Sequence, residues 1–157
     1  MTDADPQRVA CMEALLNDLG GRLNAGELTA LEAVTLAVEA MEDEPLFNAG
    51  KGSVLDETGK VTMDASIMRG QDQAAGAVIG LTTTRHPVRA AHRLLVKGWP
   101  VMVAGDAGDA YADREGLEQV DPAWFATDLR RAQWNKWKEQ RLRPGATDEE
   151  DLSLIHI

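Results

Sequence analysis

One short stretch of this chain restricts its fold more than any other. Phe47-Asn48-Ala49-Gly50-Lys51-Gly52-Ser53-Val54-Leu55 follows a helix that Pro45 must end, and leads into Val61-Thr62-Met63-Asp64-Ala65-Ser66-Ile67-Met68. Gly50 and Gly52 admit backbone angles that other residues resist, so the chain can turn sharply and approach another group closely. Pro45 disfavours helical angles at Glu44. Upstream, Thr29-Ala30-Leu31-Glu32 reads as a capping box: the Thr hydroxyl accepts from a free backbone N–H and Glu32 reaches back. The helix it starts has a wet stripe of Glu32, Thr35, Glu39, Glu42 and Asp43 and a dry stripe of Leu31, Val34, Val38 and Met41.

On either side of this stretch, helical and strand patterns alternate. Val9, Met12, Leu15, Leu16 and Leu19 recur at helical spacing over 7–19. Gly20-Gly21 is expected to interrupt that helix, with a turn or fresh helix to Gly26. Residues 53–56 and 60–67 read as two strands of a hairpin joined through Glu57-Thr58-Gly59. A third strand, 75–82, is rich in small residues, so a face of it is expected to be covered closely. Pro87 suits a first helical position and Gly98 the residue past the end, with Val88, Ala91, Leu94 and Leu95 as the dry face. Residues 101–103 read as a short buried strand, 106–115 as a helix closed by Gly116, and Asp121-Pro122 as the opening of a helix to about Leu142. The acidic run 147–151 has nothing to bury and is expected to be disordered. Leu152-Ser153-Leu154-Ile155-His156-Ile157 looks like a translated adapter scar, to be excluded from fold reasoning.

Composition narrows the partners. A net charge of −10 argues against nucleic acid, because counterion-release binding needs basic clusters. The single cysteine, Cys11, excludes an internal disulfide and is expected to pack as a small hydrophobe. No run of 18 apolar residues suggests a membrane span. The polar start Met1-Thr2-Asp3-Ala4-Asp5-Pro6 is unlike a signal peptide, so a cytoplasmic location is the default expectation. Plentiful Ala, Val and Leu with scarce Tyr and Phe suit an α/β layer structure.

The Asn48 loop, followed in order by Ala75-Gly76-Ala77-Val78, His86-Pro87-Val88, Val103-Ala104-Gly105 and Trp124-Phe125-Ala126-Thr127, resembles the α subunit of the N-terminal-nucleophile asparaginases and isoaspartyl peptidases. The resemblance implies an α/β fold that is half of a four-layer αββα sandwich. It implies a precursor that cuts itself to expose a catalytic Thr at the start of a β subunit, usually followed by Val-Gly. No Thr-Val-Gly occurs here, and Thr82, Thr83 and Thr84 precede Arg85-His86-Pro87, the wrong context. The family's first strand, ending in His-Gly-Gly-Ala-Gly, has no counterpart before Arg8. On this reading residues 1–145 are an α-subunit-like portion and 146–157 a linker and non-native tail. The expected partners are the chain's own β subunit, a second αβ unit, and L-asparagine or a β-aspartyl dipeptide, with no organic cofactor. The alternatives are a glycosylasparaginase-type hydrolase and a non-catalytic cation- or partner-binding module.

The resemblance also distributes roles. Main-chain carbonyls of Met41, Glu42, Glu44, Phe47, Ala49 and Lys51 would hold a structural Na⁺, an oxygen cage suited to a hard cation. Asn48 would support the active site, its amide donating to an oxyanion or to the nucleophile's neighbour. Asp64, on a strand, is expected to be a structural hydrogen-bonding group. His86 is placed to cap the following helix, and neither it nor His92 completes a zinc ligand set. The basic and aromatic segment 130–138 is expected to dock its Trp face on the fold or on a partner chain.

Overall fold

The computed structural model describes residues 5–141. Its elements are α1 (Pro6–Asn24), α2 (Ala30–Asp43), β1 (Met63–Met68), β2 (Ala75–Leu81), α3 (Pro87–Lys97), β3 (Met102–Ala104), α4 (Gly105–Arg114), a 3₁₀ turn (Pro122–Trp124) and α5 (Asp128–Arg141). The expected linker and tail at 146–157 lie outside the described residues. The architecture is α/β, with strand order β1-β2-β3, β1 and β2 antiparallel and β2 and β3 parallel. None of the described helices is long and apolar enough to cross a membrane.

Small residues let α3 lie directly on the sheet. A Cβ on Gly76 would stand 2.1 Å from the Ala91 carbonyl oxygen and 2.5 Å from Leu95 N. Around this contact Ile67, Val78, Leu81, Ala90, Leu94 and Leu95 form the main core, which Tyr111 and Ala112 of α4 extend. Val61, Met63 and Phe125 make a second cluster. The sheet is irregular at Asp64. Between the pairs Met63–Leu81 and Ala65–Val78, two residues of β2 oppose one of β1. Gly80 takes a φ of +69° there, and its N–H is taken by Asp64 Oδ1 at 2.7 Å. A strand Asp is costly unless paired, and here it replaces the ladder bond that the bulge removes.

The capping box at Thr29 and Glu32, the end of α2 at Pro45, and the α3 stop at Gly98 (φ +77°) all form as the residues dictate. Several expectations fail for identifiable reasons. The helix at 7–19 does not stop at Gly20-Gly21: α1 continues to Asn24, because two glycines cost only about 1 kcal/mol each against Ala. The 53–56 strand does not form. The Asp56 carboxylate instead accepts from the N–H groups of Thr58 and Lys60 and from the Thr58 hydroxyl, and this side-chain capture displaces a ladder. The 101–103 strand is not buried. Val101 and Met102 stand exposed, and among the described residues this edge pairs only with β2.

The α2 stripes are partly reversed. Thr35 and Glu42 are buried while Val34 is exposed, because α2 packs against both α1 and α3. The Thr35 hydroxyl satisfies itself on the Leu31 carbonyl. The long helix from Pro122 is broken after the 3₁₀ turn. Phe125 turns fully into the second core, and Thr127 Oγ1 then accepts from Arg130 N to start α5.

Candidate functional site

The loop after α2 folds back on the helix end that produced it. Glu44 leaves the helix with extended angles, its N–H reaching the Met41 carbonyl. Lys51 N then donates to the Glu42 carbonyl at 2.7 Å. Gly50 has a φ of +49°, and a Cβ there would lie 2.3 Å from Glu42 O. Gly52 has a φ of +104°, with Pro45 O at 2.5 Å and Phe47 O at 2.9 Å from the same virtual atom. No side chain fits at either position. Gly52 is clamped from outside as well: its N–H donates to Phe125 O at 2.9 Å, and its carbonyl accepts from Arg130 Nε at 2.5 Å. The 3₁₀ turn and α5 therefore hold the loop in place.

Asn48 sits on the outer side of this clamp. Its Oδ1 accepts from Val54 N at 2.8 Å. Because that backbone group can only donate, the amide orientation is fixed, and Nδ2 is the group left to donate outward. Asn48 lines a cleft of about 320 Å³ with Ser53, Thr62, Asp64, Ser66 and Glu42, closed by the first turn of α3 at Pro87 and Val88. Asp64 is thus brought to the cleft, though its carboxylate is engaged with Gly80.

Glu42 is only 3% exposed. Burial pushes its carboxyl up to about 8, against the pull of the Val88 N–H that Oε1 accepts at 3.0 Å. Its side chain joins the end of α2 to the start of α3. Sequence reasoning assigned only the carbonyl of this residue a role. The available signal was its position one turn from Glu39 and two turns from Thr35 on a face shared by two helices.

The six carbonyl positions all lie on this turn. The Met41, Glu42 and Glu44 carbonyls each accept one backbone N–H, from Glu44, Lys51 and Phe47 respectively. A carbonyl oxygen has a second lone pair. Neutral oxygens crowded on a glycine-tight turn are the right donors for a hard monovalent cation. Ala49 lines the cleft, and the Lys51 ammonium lies 5.2 Å over the Trp124 ring rather than in the turn. The Lys51 side chain is therefore free of the carbonyl set.

His86 occupies the residue before α3 but makes no capping bond. Its ring turns to Asp43 and Glu39 instead. The Trp face of α5 docks on the fold, with Trp134 Nε1 donating to Asp56 O at 2.9 Å. The threonines set aside on sequence have a clear partner. Asp109 accepts from the N–H groups of Thr82, Thr83 and Thr84 and from the hydroxyls of Thr82 and Thr84. An Asp inside a helix beside three strand-end threonines was the signal for this anchor.

The chain matches the Asparaginase family model over residues 4–152. It is 41% identical over 119 residues to a plant-type L-asparaginase of Thermococcus kodakarensis, an alignment covering 76% of this chain and 38% of that protein. It is 38% identical over 122 residues to the isoaspartyl peptidase of Escherichia coli, covering 78% of this chain and 38% of that one. A putative isoaspartyl peptidase/L-asparaginase of Dictyostelium discoideum is 37% identical over 150 residues, 92% of this chain and 41% of the relative. The chain thus spans about two fifths of the length of these relatives.

Proposed function

The chain belongs to the asparaginase family of hydrolases, and we propose that it is the α portion of an enzyme cleaving the side-chain amide of L-asparagine and the isopeptide bond of β-aspartyl dipeptides. The observation that carries this reading is Asn48, held by Val54 N so that its amide nitrogen is the donor left at the cleft. In the proposed reaction a Thr supplied by the β portion attacks the amide carbon through its hydroxyl oxygen. Its own α-amine takes the hydroxyl proton and passes it to the leaving nitrogen. Water then hydrolyses the resulting ester to aspartate and free Thr. Asn48 contributes a hydrogen bond to the oxyanion or to the nucleophile's neighbour, and the Gly52 clamp keeps it from relaxing. The sheet of this chain would face a second sheet from the β portion in a four-layer sandwich, and αβ units would pair as dimers.

The expected result for Asn48→Ala, in the chain coexpressed with its β half, is a fall in kcat of about 100-fold. Folding should remain intact, because Val54 N is near solvent. An unchanged kcat would remove Asn48 from the site.

We assign the carbonyl turn from Met41 to Lys51 to a structural Na⁺. Thermal stability in sodium is expected to exceed that in a large organic cation. Lys51→Ala should preserve the difference, because the donor there is backbone, whereas Pro45→Gly should shrink it by loosening the turn. No difference between the two salts for the unsubstituted protein counts against the site.

A further inference from the structure

We propose that the cavity between α5 and residues 53–62 is the subsite for the amino acid released from a β-aspartyl peptide, and that it selects an apolar side chain there. The inference rests on the isopeptide-hydrolase reading and specifies its substrate class. The cavity measures about 330 Å³ and is walled by Val54, Leu55, Trp134 and Trp137. It shares Val54 and Thr62 with the Asn48 cleft. Val54 is the residue whose N–H fixes Asn48. Cleft and cavity are therefore adjacent across the Val54 and Thr62 walls they share, as a scissile carbonyl and the next residue's side chain are adjacent in a dipeptide.

Charge favours the same occupant. The residue released from a β-aspartyl dipeptide carries a free α-carboxylate. Two acidic residues line the cavity, and both are engaged: Asp56 caps its own turn and Glu57 pairs with Arg141. Arg130 also lines it. Its Nε is held by Gly52 O and its Nη1 by Gln133, while Nη2 is buried without a partner among the described residues. Among the described residues no carboxylate pairs with this guanidinium, so the cavity combines an aromatic wall with an uncompensated positive charge. Trp134 is fixed by its bond to Asp56 O, which keeps the wall preformed. L-asparagine releases only ammonia, which has neither an apolar group nor a carboxylate. Its turnover should not depend on this cavity.

The test compares kcat/KM on β-aspartyl-phenylalanine, β-aspartyl-lysine and L-asparagine, using the chain coexpressed with its β half. Trp137→Ala is expected to lower the value for β-aspartyl-phenylalanine about tenfold or more, and to leave L-asparagine within about twofold. Trp137→Phe should restore most of the loss. Equal falls on both substrates would show a structural effect and overturn the proposal. So would an unsubstituted enzyme that cleaves the lysine peptide as well as the phenylalanine one. An unsubstituted enzyme that hydrolyses none of the three rejects the hydrolase reading itself, and the subsite with it. Normal L-asparagine turnover without apolar preference rejects the subsite alone.

Discussion

Purified alone, the 157-residue chain is expected to release no ammonia from L-asparagine and to leave its own backbone uncut. The chemistry needs a threonine whose α-amine is free, because that amine is the base that activates the hydroxyl. The threonines of the described residues all lie inside the chain, and all but Thr62 are engaged through their side chains. Thr29 caps α2, Thr35 bonds the Leu31 carbonyl and Thr58 bonds Asp56. Thr82 and Thr84 bond Asp109, Thr83 bonds Gln119 and Thr127 caps α5. Thr62 lines the cleft, but its nitrogen is a peptide nitrogen. Losing the nucleophile from such a unit costs on the order of 10⁴-fold or more in rate. Coexpression with a β half that begins at a Thr-Val-Gly cut should restore turnover. Ammonia production by the lone chain above an enzyme-free control would refute the assignment of the nucleophile to the other half.

What could be read in the sequence was local. The capping box, Pro45, the Pro87-to-Gly98 helix and the close approach at Gly76 each follow from one or two residues whose preference nothing in the tertiary structure opposes. Gly50 and Gly52 were legible as turn residues because they alone admit positive φ, whereas Asn48 was singled out by the family resemblance and not by its local pattern. The misreadings came where a distant partner decided the outcome. Glu42 looks like a solvent-facing helix residue until Val88 comes to meet it. Asp56 looks like part of a strand until its carboxylate captures the turn. The break after Trp124 depends on Phe125 finding Val61 and Met63, more than sixty residues away. Periodicity is blind to such contacts, since it reports only which face of an element is apolar.

Asp109→Asn is expected to destabilise the fold by about 3 kcal/mol, a large part of the 5–15 kcal/mol typical of a domain. The carboxylate serves three backbone donors and two hydroxyls at the end of β2. An Asn keeps one acceptor and turns an N–H₂ towards groups that themselves donate, leaving buried N–H groups unpaired. The effect should reach the candidate site, because residues 82–84 lead directly into the start of α3, where Val88 meets Glu42. Burial alone would raise the Asp109 carboxyl. The hydrogen bonds from Thr82, Thr84 and Thr83 outweigh it and hold the group below its ordinary value. The sign follows from linkage: the folded state binds this proton less readily than the unfolded chain. Its contribution is therefore complete above the unfolded pKa of about 3.9 and is lost as pH falls through the lower folded value. Chemical denaturation of the unsubstituted protein should show this acid loss, and Asp109→Asn should remove that part of the pH dependence while lowering stability at pH 7. If the two proteins lose stability in parallel below pH 4, some other carboxylate carries the effect and the threonine turn is not anchored as described.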